Sequence, residues 1–249
     1  MNIYSKVQAQ NHYGKLSTGL AQNLAIAETI LRARKEFFNE IRDSIGLPEK
    51  IRAMLISCMA FMALYGAVLG SSHNLWQALS SAIKLPALFL ITSIICLPTL
   101  YFFNILFGAR QSLSQNLVLI LTPITVTAVL IFSFAPITLF FMLTTSDYQF
   151  FKLLNVAFFV IAGIIGMWFL PQGMRVVSGS NDQATRIRGW VLWFWIIVYA
   201  FVGSQMAWTL RPFIGYPGAK FEFLRQLGGN FYTDILASIA EILGFVILK

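Results

Sequence analysis

Only a few residues in this chain have the types and spacing that chemistry requires. His73, in a polar stretch between apolar segments, carries an imidazole able to ligate haem iron or chlorophyll magnesium. A lone loop histidine is more often simply solvated, so no cofactor and no metal site is expected. Cys58 and Cys96 both fall inside apolar segments, where cysteine usually serves as a small packing residue rather than a redox centre. Arg211 stands directly before Pro212, and its planar fork suits bidentate pairing with a carboxylate. Asp234 and Glu241, on the last apolar helix, are its expected partners, with Asp147 a third carboxylate on the same side. Such a pair would pin that helix to the rest. The competing role is an arginine snorkelling to lipid phosphates. No catalytic constellation stands out, so an enzyme is not expected.

The elements that position these residues are organised around Leu85 to Leu143. Two apolar segments, Leu85–Phe107 and Leu117–Leu143, flank a polar link whose Arg110 is the only formal charge between them. A hydrocarbon core of about 30 Å needs about 20 apolar residues of helix to cross it. Both segments are long enough, which predicts a transmembrane hairpin. Further spans are predicted at Ile51–Gly70, Lys152–Leu170 and Gly189–Leu210, joined by loops that include Ser71–Lys84 and Met174–Ile187. The fold class is therefore all-α integral membrane, with about five transmembrane helices.

Gly66 and Gly70 give the first span a small-xxx-small spacing that permits close helix approach. Pro86 is expected to open the second span, where a helix tolerates proline. Pro98, Pro123 and Pro136 lie inside the second and third spans and each removes a backbone donor. Thr122, Thr125, Thr127 and Ser133 are placed to take up the freed carbonyls.

Outside the spans, residues 1–50 form a cytoplasmic amphipathic region. Apolar residues over Leu16–Ile45 recur at helical spacing, with Leu31 and Phe38 on one face and Glu28, Arg32, Glu36 and Glu40 marking the other. Gly46 and Pro48 end this helix, which is expected along the membrane surface or on the protein's own cytoplasmic face. After the bundle, residues 51–211, comes a loop and an apolar helix, Thr233–Leu248, within 212–249. Asp234, Ser238 and Glu241 share one face of it, which favours a short interfacial or re-entrant helix over a sixth span.

Composition narrows the function classes. With 57% hydrophobic and 11% charged residues, the chain lies outside the soluble range. Its net charge of +8 is dispersed beside spans rather than clustered, which argues against nucleic acid as a partner. With five spans, twelve basic residues fall on the side of the N-terminus and six on the other, which predicts a cytoplasmic N-terminus.

Leu85-Pro86 opening a span, the link Phe107-Gly-Ala-Arg-Gln-Ser-Leu-Ser-Gln115 and the proline-containing span after it resemble the bacterial branch of the Yip-type (Ypt-interacting-protein-like) membrane domain. The whole chain is similar to a group of cyanobacterial multi-pass membrane proteins, through Gln77-Ala-Leu-Ser-Ser-Ala-Ile-Lys-Leu-Pro86, Ile95-Cys-Leu-Pro-Thr-Leu-Tyr-Phe-Phe-Asn104 and Gly203-Ser-Gln-Met-Ala-Trp-Thr-Leu-Arg-Pro-Phe213. The resemblance implies a plasma- or thylakoid-membrane protein and brings no catalytic residues. The expected role is a non-enzymatic scaffold, assembly factor or accessory subunit, with a membrane protein or a second copy as partner besides the bilayer. The alternative is a small-solute transporter or channel built on the proline-kinked helices.

Overall fold

The computed structural model describes residues 20–106, 111–145, 147–178, 182–215, 221–225 and 228–243. Among them all regular structure is helical. The helices are α1 (Leu20–Arg32), α2 (Arg34–Arg42), α3 (Leu47–Ser71), α4 (Leu75–Leu106), α5 (Leu113–Ser133), α6 (Ala135–Thr144), α7 (Tyr148–Ser178), α8 (Asp182–Thr209) and α9 (Phe231–Ile242). Five stretches are long and apolar enough to cross a membrane: α3, α4, α5 continuing into α6, α7, and Gly189–Thr209 of α8. We call the end of the bundle where α3 begins proximal, and the opposite end distal.

At the centre stands α5. Every residue from Val118 to Ala128 is buried on it, the pattern of a helix enclosed on all sides. It packs against α3, α4 and α7, while α8 sits outermost against α4. The rim of the bundle is apolar, with Ile94, Phe102, Ile164, Trp168, Trp193 and Ile197 all exposed. That is the surface hydrocarbon requires.

The helices begin and end differently from the hydropathy boundaries because short polar caps, not apolar runs, decide where they start. Asn74 Oδ1 accepts the Gln77 amide at 2.7 Å, so α4 begins at Leu75 and takes in most of the expected loop Ser71–Lys84. Pro86 consequently lies inside α4 rather than at its start. Ser112 and Gln115 form a reciprocal capping box that starts α5. Asp147 Oδ1 accepts the amides of Gln149 and Phe150, and α7 runs from there through Pro171 to Ser178. The expected loop Met174–Ile187 shrinks accordingly, since Met174–Ser178 and the residues from Asp182 onward are helical. Arg110 lies outside the described residues.

Pro98 and Pro123 sit within unbroken helix. Pro136 falls in the first turn of α6, just after the interruption at Phe134, whose ring stacks on Phe158 at 4.5 Å. The hydroxyls do not serve the carbonyls of Leu119 and Phe132, which Pro123 and Pro136 free. Thr122 donates to Val118 O, Thr125 to Leu121 O and Ser133 to Val129 O, while Thr127 reaches across to Ala162 O on α7.

The single N-terminal helix expected over Leu16–Ile45 is two helices broken at Ala33 (φ −110°, ψ 38°). Ile26, Ile30, Phe37, Phe38 and Ile41 are buried on the bundle, whereas Leu31 is 45% exposed and anchors nothing there. Phe38 lies against Gly173 of α7, where a Cβ would come within 2.6 Å of its ring. Arg34 covers the Phe169 ring at 5.6 Å, and Ser57 of α3 donates to Asn23 O at 2.7 Å. The α1–α2 pair is thus docked on the protein's own proximal end. Between α2 and α3, Gly46 caps the new helix at φ +61°, a conformation glycine adopts without penalty.

Candidate functional site

Polar side chains buried among apolar helices have nowhere to go but to one another or to backbone carbonyls, because an unserved polar group in hydrocarbon costs several kcal/mol. Their partners therefore show what holds the bundle. The densest such group lies at the distal end on α4, one face of which carries Gln77, Ser81 and Lys84. All three aim at the segment following α8. Gln77 Nε2 donates to Pro212 O at 2.9 Å and to Phe213 O at 3.3 Å. Ser81 Oγ donates to Phe213 O at 2.6 Å. Lys84 Nζ donates to Pro212 O at 3.2 Å and also to Phe223 O, with the Phe223 ring 4.8 Å away. Lys84 is 2% exposed, so a cation is held inside by main-chain oxygens and an aromatic face.

Two glycines of α3 give this polar face its position. A Cβ on Gly66 would lie 2.3 Å from Ser81 O, and one on Gly70 would lie 2.4 Å from Gln77 O. With no side chains between them, the backbones of α3 and α4 touch at the level of the polar residues. His73, at the α3–α4 turn, packs on Gly215 of the same captured segment, where a Cβ would stand 2.3 Å from its ring. Nothing in that placement joins it to a group of ligating side chains, and no group of three or more His, Cys, Asp or Glu able to hold a metal occurs among the described residues.

A second polar group ties the centre together. Tyr65 of α3 donates to Asn155 Oδ1 of α7 at 2.6 Å and meets Thr138 Oγ1 of α6 at 3.1 Å. Asn155 in turn donates to Phe151 O. At the proximal end, Asn104 bonds Gln111 and Asn116. There too Gln115 closes the end of α2 by donating to Ile41 O and Arg42 O. Buried Lys50 meets Glu40 at 3.2 Å and Ile45 O at 2.6 Å.

Arg211 does not take the expected partners. Asp234 pairs with Lys152 Nζ at 2.9 Å, and Glu241 accepts from Gln149 Nε2 at 2.7 Å, so α9 is fastened to the first turns of α7 instead. The reason is geometric: α9 lies across the start of α7, which puts Asp234 beside Lys152 and Glu241 beside Gln149. Arg211 stacks on Trp208, 3.4 Å above the ring, and donates to Gly228 O. Burial lowers its guanidinium from the ordinary value, with Asp234 opposing that shift and Arg225 adding to it. An arginine remains protonated under any such shift.

Of the residues singled out from sequence, Gly66 and Gly70 lie beside the distal polar group. Asp234 and Glu241 share a seam with α7, Pro98, Pro123 and Pro136 are spread along α4 to α6, and Phe38 is proximal. Sequence reading missed Lys84, Gln77, Ser81, Tyr65 and Asn155. For the first three a signal was present, since positions 77, 81 and 84 share a helix face once Asn74 is read as the cap.

Five apolar helices enclosing bonded polar groups define a multi-pass helical membrane protein. No family model matches the chain, and no curated protein or solved structure matches it either.

Proposed function

We propose that the protein is a non-enzymatic scaffold or accessory subunit of a larger membrane assembly, seated in a bacterial plasma or thylakoid membrane with its N-terminus in the cytoplasm. One observation carries this reading. Gln77, Ser81, Lys84, Tyr65, Asn155 and Thr127 bond to other elements of the same chain and so fix helix positions, while α8 joins the bundle along one side and turns Trp193, Phe194 and Ile197 outward. An aromatic face on the outermost helix suits packing against a further transmembrane helix, which in lipid is driven by shape rather than by dehydration. The excess of basic residues on the proximal side supports the orientation. The Yip-type resemblance of the central hairpin belongs to the same proposal.

Placing a photo-crosslinking benzophenone at Trp193 or Ile197 in native membranes tests it. The expected product is a stoichiometric adduct with one defined membrane polypeptide or with a second copy of this chain, surviving mild detergent. A benzophenone at buried Phe38 should give none. Adducts with lipid alone, together with solute uptake by vesicles reconstituted with the pure protein, would instead favour a transporter built on Pro98, Pro123 and Pro136.

A further inference from the structure

The polarity of α9 is inverted relative to a helix that faces water. Asp234, Ser238 and Glu241 form the stripe turned toward α7, through the Lys152–Asp234 pair at 2.9 Å and the Gln149–Glu241 bond at 2.7 Å. Ser238 is 1% exposed and donates to Asp234 O. The opposite stripe is Tyr232, Leu236, Ile239 and Leu243, exposed at 46%, 65%, 40% and 67%. A surface helix in water places these two stripes the other way round.

The apolar stripe also continues the lipid-facing surface of the spans. The Tyr232 ring stacks on Phe201 of α8, at 6.4 Å and 16°, and its hydroxyl lies 3.0 Å from Ser204 Oγ. Phe201 is 54% exposed and stands about two turns inside the distal end of α8. The start of α9 therefore lies alongside the apolar belt of the bundle. From there Asp234 meets Lys152 and Glu241 meets Gln149, so the helix crosses the first turns of α7, with its C-terminal end nearer the distal surface. Its 12 residues span about 18 Å, short of the hydrocarbon thickness.

We propose that α9 is embedded in the distal leaflet with the Tyr232–Leu236–Ile239–Leu243 stripe against acyl chains, held there by its polar seam to α7 and not crossing the membrane. Inverted polarity and continuity with the rim of α8 select hydrocarbon as the occupant.

The test uses the full chain in phosphatidylcholine–phosphatidylglycerol vesicles, with a nitroxide on Leu236→Cys or Ile239→Cys, and Glu222→Cys as the distal reference in water. Cys58 and Cys96 are buried, so the parent protein reports background labelling. Oxygen should relax the nitroxides at Leu236 and Ile239 several-fold more than a water-soluble nickel chelate does, with the reverse order at Glu222. Stronger relaxation by nickel at Leu236 and Ile239 would place the stripe in water and overturn the proposal. Weak relaxation by both would show it covered by protein and overturn it equally.

Discussion

Gly66→Ala and Gly70→Ala should each lower the melting temperature in detergent, while Gly163→Ala should not. The first two glycines bring a helix backbone within contact of another backbone, and an added Cβ would meet Ser81 O at 2.3 Å or Gln77 O at 2.4 Å. Backbone cannot swing aside as the end of a flexible side chain does, so α3 and α4 must separate. Overpacking of this kind costs about 1–3 kcal/mol when neighbours can relax, and here the upper part of that range is expected. Separation also pulls Gln77 and Ser81 away from Pro212 and Phe213, which couples the loss of packing to a loss of hydrogen bonds. Gly163 is the control, because a Cβ there meets nothing within 4 Å. Alanine's better helix propensity should leave that variant at or above the parent. Thermal melts of all three decide the matter, and equal melting of the three variants would show that the α3–α4 approach does not depend on these glycines.

Lys84→Met should release the captured segment without dismantling the bundle. Methionine keeps the apolar stem and removes the ammonium that bonds Pro212 O and Phe223 O and faces the Phe223 ring. Gln77 still serves Pro212 O, so the loss falls mainly on Phe223. A carbonyl left unserved costs about 1–3 kcal/mol when buried, and less at Phe223, which is 55% exposed and open to water. Burying an ammonium is itself unfavourable, which offsets part of that loss. The sign is therefore read locally rather than from global stability. Residues 221–225 should exchange amide hydrogens faster, and trypsin should cut after Arg225 sooner than in the parent. Unchanged exchange and cleavage there would mean that Lys84 does not hold the segment.

How much of this was legible in the sequence depended on the range of the force involved. The spans follow from hydropathy, because hydrocarbon thickness imposes a length that no local detail overrides. Gly66 and Gly70 were legible as a spacing. Span ends were not, because Asn74, Ser112 and Asp147 act through one or two hydrogen bonds inside links of mixed composition, where several other polar residues could serve as the cap. Lys84 was hidden by the same error: placed in a loop it counts only toward charge asymmetry, and placed on α4 it becomes a buried cation. The partner of Asp234 was beyond sequence reading, since Arg211 and Lys152 are both cationic at neutral pH and only the course of α9 across α7 chooses between them. Leu31 failed because it borders the buried stripe of Ile26, Ile30, Phe37 and Ile41, and packing rather than spacing decides which edge of a stripe is covered.

The central claim is a five-crossing bundle with α1–α2 and α9 at opposite ends, and membrane-impermeant thiol labelling tests it most directly. Single cysteines at Glu36, Ser72, Ser180 and Glu222 would be labelled in sealed inside-out and right-side-out vesicles. The account predicts that Glu36 and Ser180 react from one side of the membrane and Ser72 and Glu222 from the other, and the proposed orientation makes the first side cytoplasmic. Labelling of Ser72 and Ser180 from the same side would contradict it.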